Sequence, residues 1–503
     1  MGGQRMENIN KTLLIEAREK FDGILDYITG EAQKEQIHEV ERTLFGKLIQ
    51  LGKTLLELFI ERKGDGSVGK THTDEEGVVR KLQTKRKEKV YFSIFGIVVI
   101  MRAYYWIKDK GGVIPLDAQL NLPQNRYSYI LEEWATLLGV RGAYNKVADV
   151  LSTILRIDLW NRPIEEMMGR ASDEVEEYYQ SQPVPDAESE GEILAIAADG
   201  KGIPIKRKEI EKESRVRLKK GEKRGKKKVS TVTAVYTIDK NERTVDDVVK
   251  EVIEADRAVK AKEEPKGIES KKDRPKPKNK VVKATLAGKE EAFKDLSKQV
   301  DKRDPENKKQ RVALVDGEHK LRDLVKKYLV GFCIILDLYH VLEYLWKAAY
   351  VFTKEGTKEA ELWVTTRLRI LLEGGVLQII EDLKDSLKQG KLSKSKRETL
   401  EKVITYLENG QEYMRYDEYL AQGYPIGSGV VEGACRNLVK DRMEMTGMHW
   451  SIKGAEAVLQ MRSVDVNGMW MKFWDFRAKK KHKILYNGYP VKAANVEEEA
   501  LAA

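Results

Sequence analysis

The chain has 503 residues, a formal net charge of +10 and a sequence pI near 9.0. Its 41% hydrophobic content excludes a disordered chain, and its length favours two to four domains. The two cysteines, Cys333 and Cys435, exclude a disulfide framework and a cysteine-rich zinc site, and they fit a reducing compartment. The basic balance favours a polyanionic partner, most commonly nucleic acid, although a generally lysine-rich surface has the same charge.

The first 190 residues are predicted to be mainly helical. Leucines at three-to-four spacing predict helix over residues 7–62, and residues 63–78 should form a loop. Residues 89–106 are dense in β-branched and aromatic side chains, which predicts a strand pair turning near Gly96. The apolar part of this pair is too short to span a bilayer, so we expect a cytoplasmic protein with no membrane partner. Residues 128–180 return to short helices joined by tight turns, a pattern that a helix-turn-helix shares with any three-helix unit.

From Glu192 onward, short apolar runs lead into aspartates. Three such runs end in Asp199, Asp316 and Asp337. Short apolar runs bounded by a turn signal indicate buried strands, and ligands of open α/β sheets bind outside the carboxyl ends of strands. The aspartates therefore form a candidate site. The alternative is that Asp316 and Asp337 only cap the helices that follow them.

Two charged segments interrupt this region. Residues 206–228 hold thirteen Lys/Arg and four Glu, a net charge of +9, and residues 257–280 are rich in lysine and proline. A charge run is usually a solvated loop, but beside an acidic site it could also hold phosphates and give salt-dependent affinity. Residues 358–414 are predicted to be helical throughout, which places an all-helical insertion between Asp337 and the next acidic block.

The next acidic block is a helix predicted from Val430 to Met445, and it carries a further candidate acid, Glu432. Glu432, Arg436 and Lys440 lie four residues apart on one face of this helix. Clustered carboxylates on a basic protein fit two-metal phosphoryl transfer, in which ions about 3.5–4 Å apart stabilise the attacking and leaving oxygens. Mg²⁺ takes one or two carboxylates together with waters and phosphate oxygens. The sequence has no Walker loop, dinucleotide fingerprint or G-x-S-x-G pentapeptide that would support another chemistry.

Four segments in this order resemble the DDE transposases of bacterial insertion sequences, closest to the ISKra-type family. They are ADGKG at 198–202, VDGEHKL at 315–321, DLYHVLEYLW at 337–346 and YPIGSGVVEGACRNLVKDRMEMTGMHW at 424–450. The resemblance extends upstream through FSIFGIVVIMRAYY and PLDAQLNLP, so it covers most of the chain. The block around Glu432 is its most specific part.

The resemblance implies an α+β or α/β multidomain chain with a ribonuclease-H-like mixed-sheet catalytic domain. It implies Mg²⁺-dependent cleavage at element ends, with Mn²⁺ as a substitute, followed by attack of the freed 3′-hydroxyl on target DNA. Because two ends must be held together, a homo-oligomer on DNA is expected. Two alternatives stay open, namely a catalytically inactive transposase-derived DNA-binding protein and a structure-selective nuclease.

Carried over by motif, Asp199, Asp316 and Glu432 are the catalytic and metal-binding acids. Asp337 and His340 form a D-x-x-H accessory signature, in which Asp337 rivals Asp316 as the second acid. For His340, the alternative is a satisfied histidine at the start of its helix.

The helix after Glu432 and the residues beyond it supply the predicted DNA contacts. Arg436, Lys440 and Arg442 would bind backbone phosphates, and Trp450 would stack on an unpaired base or close a core. The predicted organisation is an N-terminal helical region with a hairpin (1–127), a helix-turn-helix-like domain and linker (128–190), a catalytic domain (191–345 and 415–480), a helical insertion (346–414) and a tail (481–503).

Overall fold

The computed structural model describes residues 2–209, 227–261, 274–389, 392–445 and 447–486. Most of the predicted basic segment 206–228, the middle of the segment 257–280 and most of the predicted tail lie outside the described residues. Within the described residues the protein is a mixed α+β protein, as predicted. None of the helices described is long and apolar enough to cross a membrane.

Contacts divide the chain into two compact units. The first comprises residues 1–178 and 469–503, and the second comprises residues 179–468. The boundary falls within one short helix, Val175–Ser181. This division does not test the predicted domain boundaries, which stay predictions.

Helices dominate the first unit, and two small sheets lie between them. The helices are α1 (Gly2–Thr29), α2 (Ile37–Lys63), α3 (Pro115–Gln119), α4 (Tyr129–Arg141), α5 (Tyr144–Leu155) and α6 (Asn161–Ser172), and the boundary helix is α7. The strands are β1 (Thr71–Thr73), β2 (Val79–Leu82), β3 (Lys87–Ser93), β4 (Gly96–Arg102), β5 (Tyr105–Ile107) and β6 (Gly111–Val113). The helix Trp470–Tyr486 belongs to this unit as well.

Two predictions about this unit are refined. The helix predicted over residues 7–62 is two helices, because a 3₁₀ turn at Glu31–Lys34 separates them and Gln36 begins α2 with a capping box. The predicted loop at 63–78 contains the short strand β1. The predicted hairpin is confirmed, since β3 and β4 pair antiparallel and Gly96 adopts a positive φ of 116° at the turn.

The second unit is built on one five-stranded sheet. Its strands are β7 (Ile193–Pro204), β8 (Lys227–Ile238), β9 (Lys278–Thr285), β10 (Gln310–Val315) and β11 (Cys333–Leu336). They lie in the order β11-β10-β7-β8-β9. The three strands β7, β10 and β11 run parallel, whereas β8 is antiparallel to both β7 and β9.

Helices surround this sheet. They are α8 (Val245–Ala261), α9 (Lys289–Arg303), α10 (His319–Tyr328), α11 (Leu338–Phe352), α12 (Lys358–Leu372), α13 (Val376–Gln389), α14 (Lys394–Gly410), α15 (Tyr416–Ala421), α16 (Gly429–Ala434), α17 (Asp441–Met443) and α18 (Ile452–Val466). One face of the sheet packs on α9 and α10, where Ile196, Val315, Phe293, Leu321 and Leu324 share a core. The predicted helical stretch 358–414 is confirmed as α12, α13 and α14 within its described part.

Three local predictions about the second unit were incomplete. Asp199 does not end its strand, because β7 continues to Pro204 through antiparallel pairing with β8. Strand β9 was not predicted, since its lysines hide the burial of Val282 and Ala284. The helix predicted from Val430 to Met445 begins at Gly429 and contains a π-helical segment, Cys435–Lys440, between α16 and α17.

Candidate metal centre

Three aspartates lie in one row across neighbouring parallel strands. Ala198 of β7 is paired with Val315 of β10, and Val315 is paired with Leu336 of β11. Asp199, Asp316 and Asp337 each follow directly after one of these paired residues. Because neighbouring strands lie about 4.8 Å apart and alternate residues share a face, the register places the three aspartates side by side on one face.

This face is the one opposite α9 and α10. Ala198 and Val315 belong to the core that packs on those helices. The next residue along a strand points to the other face. The aspartates therefore lie on the side of the sheet that is free of that core, and the thiol of Cys435, from the helix that carries Glu432, reaches Asp199 there.

Asp337 is the most firmly held of the three. Its side chain is fully buried and caps α11, where Oδ1 accepts a hydrogen bond of 2.8 Å from the Tyr339 amide. Its other oxygen, Oδ2, accepts hydrogen bonds from both the amide and the hydroxyl of Ser428. Asp337 therefore does cap its helix, whereas Glu318 and not Asp316 is the N-cap of α10. Capping does not exclude metal binding, because a carboxylate has about four acceptor positions.

Among the described residues, one group of side chains has donor atoms close enough together to hold a metal ion. The donor atoms of Asp337, His340 and Glu432 lie within 4.8 Å of one another. The set combines the predicted third acid with the two predicted accessory residues. Asp199 and Asp316 are not part of this group, but they lie close enough for electrostatic interaction with it. The assignment of Asp199, Asp316 and Glu432 as the metal ligands stays a prediction.

Electrostatic interactions connect these residues. Desolvation raises the pKa of Asp316, and the Asp199 carboxylate adds to the increase. Desolvation also raises the pKa of Glu432, with a further contribution from Asp337, even though the Glu432 side chain is open to solvent. The pKa of His340 is raised to about 9, because its Nδ1 lies 3.5 Å from Asp337. The protonated ring offsets the repulsion among the carboxylates. Like charges this close favour protonation or the binding of a cation.

We expect the metal-free protein to lose stability as pH rises from about 6.5 to about 9. The raised pKa means that folded protein holds a proton on His340 across this window, whereas unfolded chain does not. The contribution of His340 to the free energy of unfolding is therefore complete below about pH 6.5 and absent above about pH 9. An NMR titration of the His340 ring measures the pKa directly, and Asp337→Asn should move it back toward the ordinary histidine value. A ring that titrates near 6.5 in the wild-type protein would contradict the role given to Asp337.

The four residues assigned to DNA divide into two pairs. Arg436 and Lys440 are exposed and remain available at the surface. Arg442 is only 1% exposed, its guanidinium lies 4.7 Å from the Trp450 ring centroid, and Nη1 contacts the Met448 sulfur. This burial argues against the assignment of Arg442 to DNA.

Trp450 lies in the core. Its side chain is 6% exposed, and its indole N–H donates to the Met443 carbonyl at 3.0 Å. Its backbone also pairs with Ile205 at the end of β7. The core alternative is therefore the one that the structure shows for Trp450, and base stacking would require it to leave this position.

Sequence reasoning missed several residues that shape the centre. Cys435 Sγ donates to Asp199 Oδ2 at 3.2 Å, and burial raises the pKa of its thiol well above the usual range. Ser428 was not predicted as part of the site, yet its amide and hydroxyl both donate to Asp337. Gly317 allows the Tyr406 ring to approach, because a Cβ there would lie 2.1 Å from Tyr406 Cε2. The glycines on both sides of Ser428 could have indicated a residue of the site. The Cys435–Asp199 and Gly317–Tyr406 contacts join residues far apart in sequence, so no local pattern indicates them.

Comparison with known proteins adds no family to this picture. No protein-family model matches the chain, and no curated protein matches it significantly.

Proposed function

We propose that the protein is a metal-dependent phosphoryl-transfer enzyme that acts on DNA. More particularly, we propose a DDE-type transposase that cleaves its element's ends and joins the freed 3′-hydroxyl to target DNA. The observation that carries the proposal is the row of Asp199, Asp316 and Asp337 across adjacent strands, with Glu432 beside it. Nothing in a purely structural sheet requires so many carboxylates at one place.

The sheet supports the proposed ribonuclease-H-like domain. Three consecutive antiparallel strands, β9-β8-β7, are followed by two parallel strands, β10 and β11. Parallel strands need crossover connections, and α9 and α10 supply them here. A ribonuclease-H-like assignment requires a mixed sheet of this kind, with acids on its central strands. The all-helical part α12 to α14 then lies between the second and third predicted acids.

The donor set fits a hard divalent cation. Carboxylate oxygens are the ligands that Mg²⁺ prefers, and they also suit Mn²⁺ as the substitute. Repulsion among the acids contributes to the raised pKa values of Asp316 and Glu432, and a divalent cation would relieve it. When bound, such ions would stabilise charge on phosphoryl oxygens and lower the pKa of an attacking water.

The chain's own residues would orient this chemistry. Ser428 and the Tyr339 amide fix both oxygens of Asp337, and the Cys435 thiol fixes one oxygen of Asp199. Fixed carboxylates keep the site in one geometry before substrate arrives, which is the contribution that preorganisation makes to catalysis. Arg436 and Lys440 are exposed on the Glu432 helix and would hold the DNA backbone near the site.

Strand cleavage and joining can be measured separately. The purified chain should nick DNA that carries the flanks of its own gene in Mg²⁺ and not in EDTA. It should also join the cut end to a second DNA molecule, which a structure-selective nuclease does not do. Metal-independent binding without cleavage would instead identify an inactive DNA-binding protein and overturn the proposal.

We expect Lys440→Ala to weaken DNA binding uniformly across sequences. Removing one phosphate contact should lower the slope of log Kd against log salt by about 0.9. Fluorescence anisotropy at several salt concentrations gives this slope. Lys402→Ala is the matched control, because Lys402 is an exposed lysine on α14. An unchanged slope for Lys440→Ala would remove this residue from the DNA surface.

A further inference from the structure

The N-terminal helical hairpin of α1 and α2 carries many exposed apolar side chains. Nine large ones are each at least 36% exposed: Leu14, Ile15, Phe21 and Leu25 on α1, and Ile37, Phe45, Leu48, Leu55 and Phe59 on α2. We call Ile37, Leu48, Leu55 and Phe59 the α2 stripe. At 100° per residue these four positions fall within about 40° of one another, so they form one line along the helix.

Helix α2 is apolar on two faces. Its inner face holds Thr54, which accepts a hydrogen bond of 2.6 Å from Lys20 of α1. The same side holds Ile60, which packs in a core with Val98 and Ile100 of β4. The α2 stripe lies on another side, and nothing in the described part of the chain covers it. A line of exposed apolar side chains on a helix that already packs through another face indicates an interaction surface, so the stripe needs a partner.

The spacing of the stripe fits another helix of equal length. Leu48 and Leu55 are seven residues apart and Phe59 follows four residues later, which is the spacing of a coiled-coil seam. A helix of 27 residues is about 40 Å long.

Charges on α2 identify the partner as a second copy and fix its direction. In an antiparallel pair with its two-fold axis between Leu51 and Gly52, Leu48 of one copy faces Leu55 of the other. The same axis places Glu41 opposite Arg62, and both positions lie within about 60° of the stripe on the helix surface. A parallel pair would bring each of these charges against itself, which is unfavourable.

We propose that α2 pairs antiparallel with α2 of a second copy, and that this contact makes the protein a dimer without DNA. The contact is isologous, so a single stripe supplies both sides of it. The dimer is independent of the proposed chemistry, because it uses no residue of the metal centre.

Sedimentation equilibrium of the full chain without DNA tests the proposal. The wild type should be a dimer at micromolar concentration, and the double variant Leu48→Lys/Leu55→Lys should be a monomer. The single reversals Glu41→Arg and Arg62→Glu should each raise the dimer Kd by about tenfold, because each puts two like-charge pairs in the contact. The combined variant Glu41→Arg/Arg62→Glu should restore the wild-type Kd in an antiparallel pair. In a parallel pair the single reversals would leave the Kd unchanged, because each charge already faces its own copy.

Two controls separate pairing from folding. All substituted positions are exposed, so the circular dichroism and melting temperature of each variant should match the wild type. Val330→Lys replaces an apolar residue that is 76% exposed in the other unit, and it should leave the dimer intact. A monomeric wild type, or a dimer that survives the double lysine variant, overturns the proposal.

Discussion

Asp316→Asn is expected to lower metal-dependent DNA cleavage by on the order of 10³-fold or more, because loss of one metal-binding carboxylate removes several kcal/mol of transition-state stabilisation. The substitution keeps the shape of the side chain and removes only its charge. Asp316 is half-buried and accepts one hydrogen bond of 2.9 Å, from the Glu318 amide, so the asparagine oxygen can replace it there. The fold should therefore survive, and the loss should be one of chemistry.

Asp337→Asn is the variant against which this result must be compared. Asparagine caps helices as well as aspartate does, so the cap of α11 should persist, but its NH2 group cannot accept the Ser428 amide N–H as Oδ2 does. If Asp337 only shapes the site, cleavage should fall less than in Asp316→Asn and remain measurable. Because the structure groups Asp337 with His340 and Glu432, the opposite ranking is a real outcome. It would make Asp337 the second metal ligand and Asp316 its neighbour.

A matched control makes the comparison quantitative. Asp323 is an exposed aspartate on α10, and Asp323→Asn should leave cleavage unchanged. Asp199→Asn and Glu432→Gln should behave like Asp316→Asn if all three acids hold metal. Full activity in all of these variants would exclude the proposed chemistry. Single-turnover cleavage rates at saturating Mg²⁺ are the appropriate readout, since they isolate the chemical step from product release.

The parts of the centre that the sequence predicts are those that depend on local pattern. An apolar run followed by an acid predicts where β10 and β11 end, and the structure ends them at Val315 and Leu336. The helices within residues 358–414 follow from apolar spacing in the same way. Each of these predictions needs only a few neighbouring residues and the period of one element.

The parts of the centre that the sequence does not predict depend on contacts between residues that are far apart in the chain. Strand β7 continues past Asp199 because β8 pairs with it as far as Pro204 opposite Lys227. The length of the segment that connects the two strands does not determine this register. Arg442 lies on a basic helical segment and has the pattern of a surface residue, yet Trp450 and Met448 enclose its guanidinium. Tertiary contacts override local pattern at such positions, so burial there could not be read from spacing.

The buried ion network of the first unit is the extreme case of a long-range contact. Glu132 of α4 is fully buried and accepts from Arg477 of the helix Trp470–Tyr486 at 2.7 Å and from Arg170 at 2.5 Å. Arg477 also lies 3.5 Å from Glu174, to which Lys481 approaches at 2.6 Å. Glu132 and Arg477 are 345 positions apart, so no sequence pattern links them.

Arg477→Ala should therefore destabilise the first unit by about 3–5 kcal/mol, since it leaves Glu132 and Glu174 buried with fewer cations. Hydrogen exchange followed by mass spectrometry can locate the effect, because opening of α4 and of Trp470–Tyr486 should become easier while peptides of β7 and β10 keep their protection. Arg162→Ala is the control, as the Arg162–Glu166 pair has an 88% exposed arginine and its loss should change stability by at most about 0.5 kcal/mol. Unchanged protection of α4 in Arg477→Ala would show that apolar packing alone holds the C-terminal helix, and the buried charges would then have no structural role.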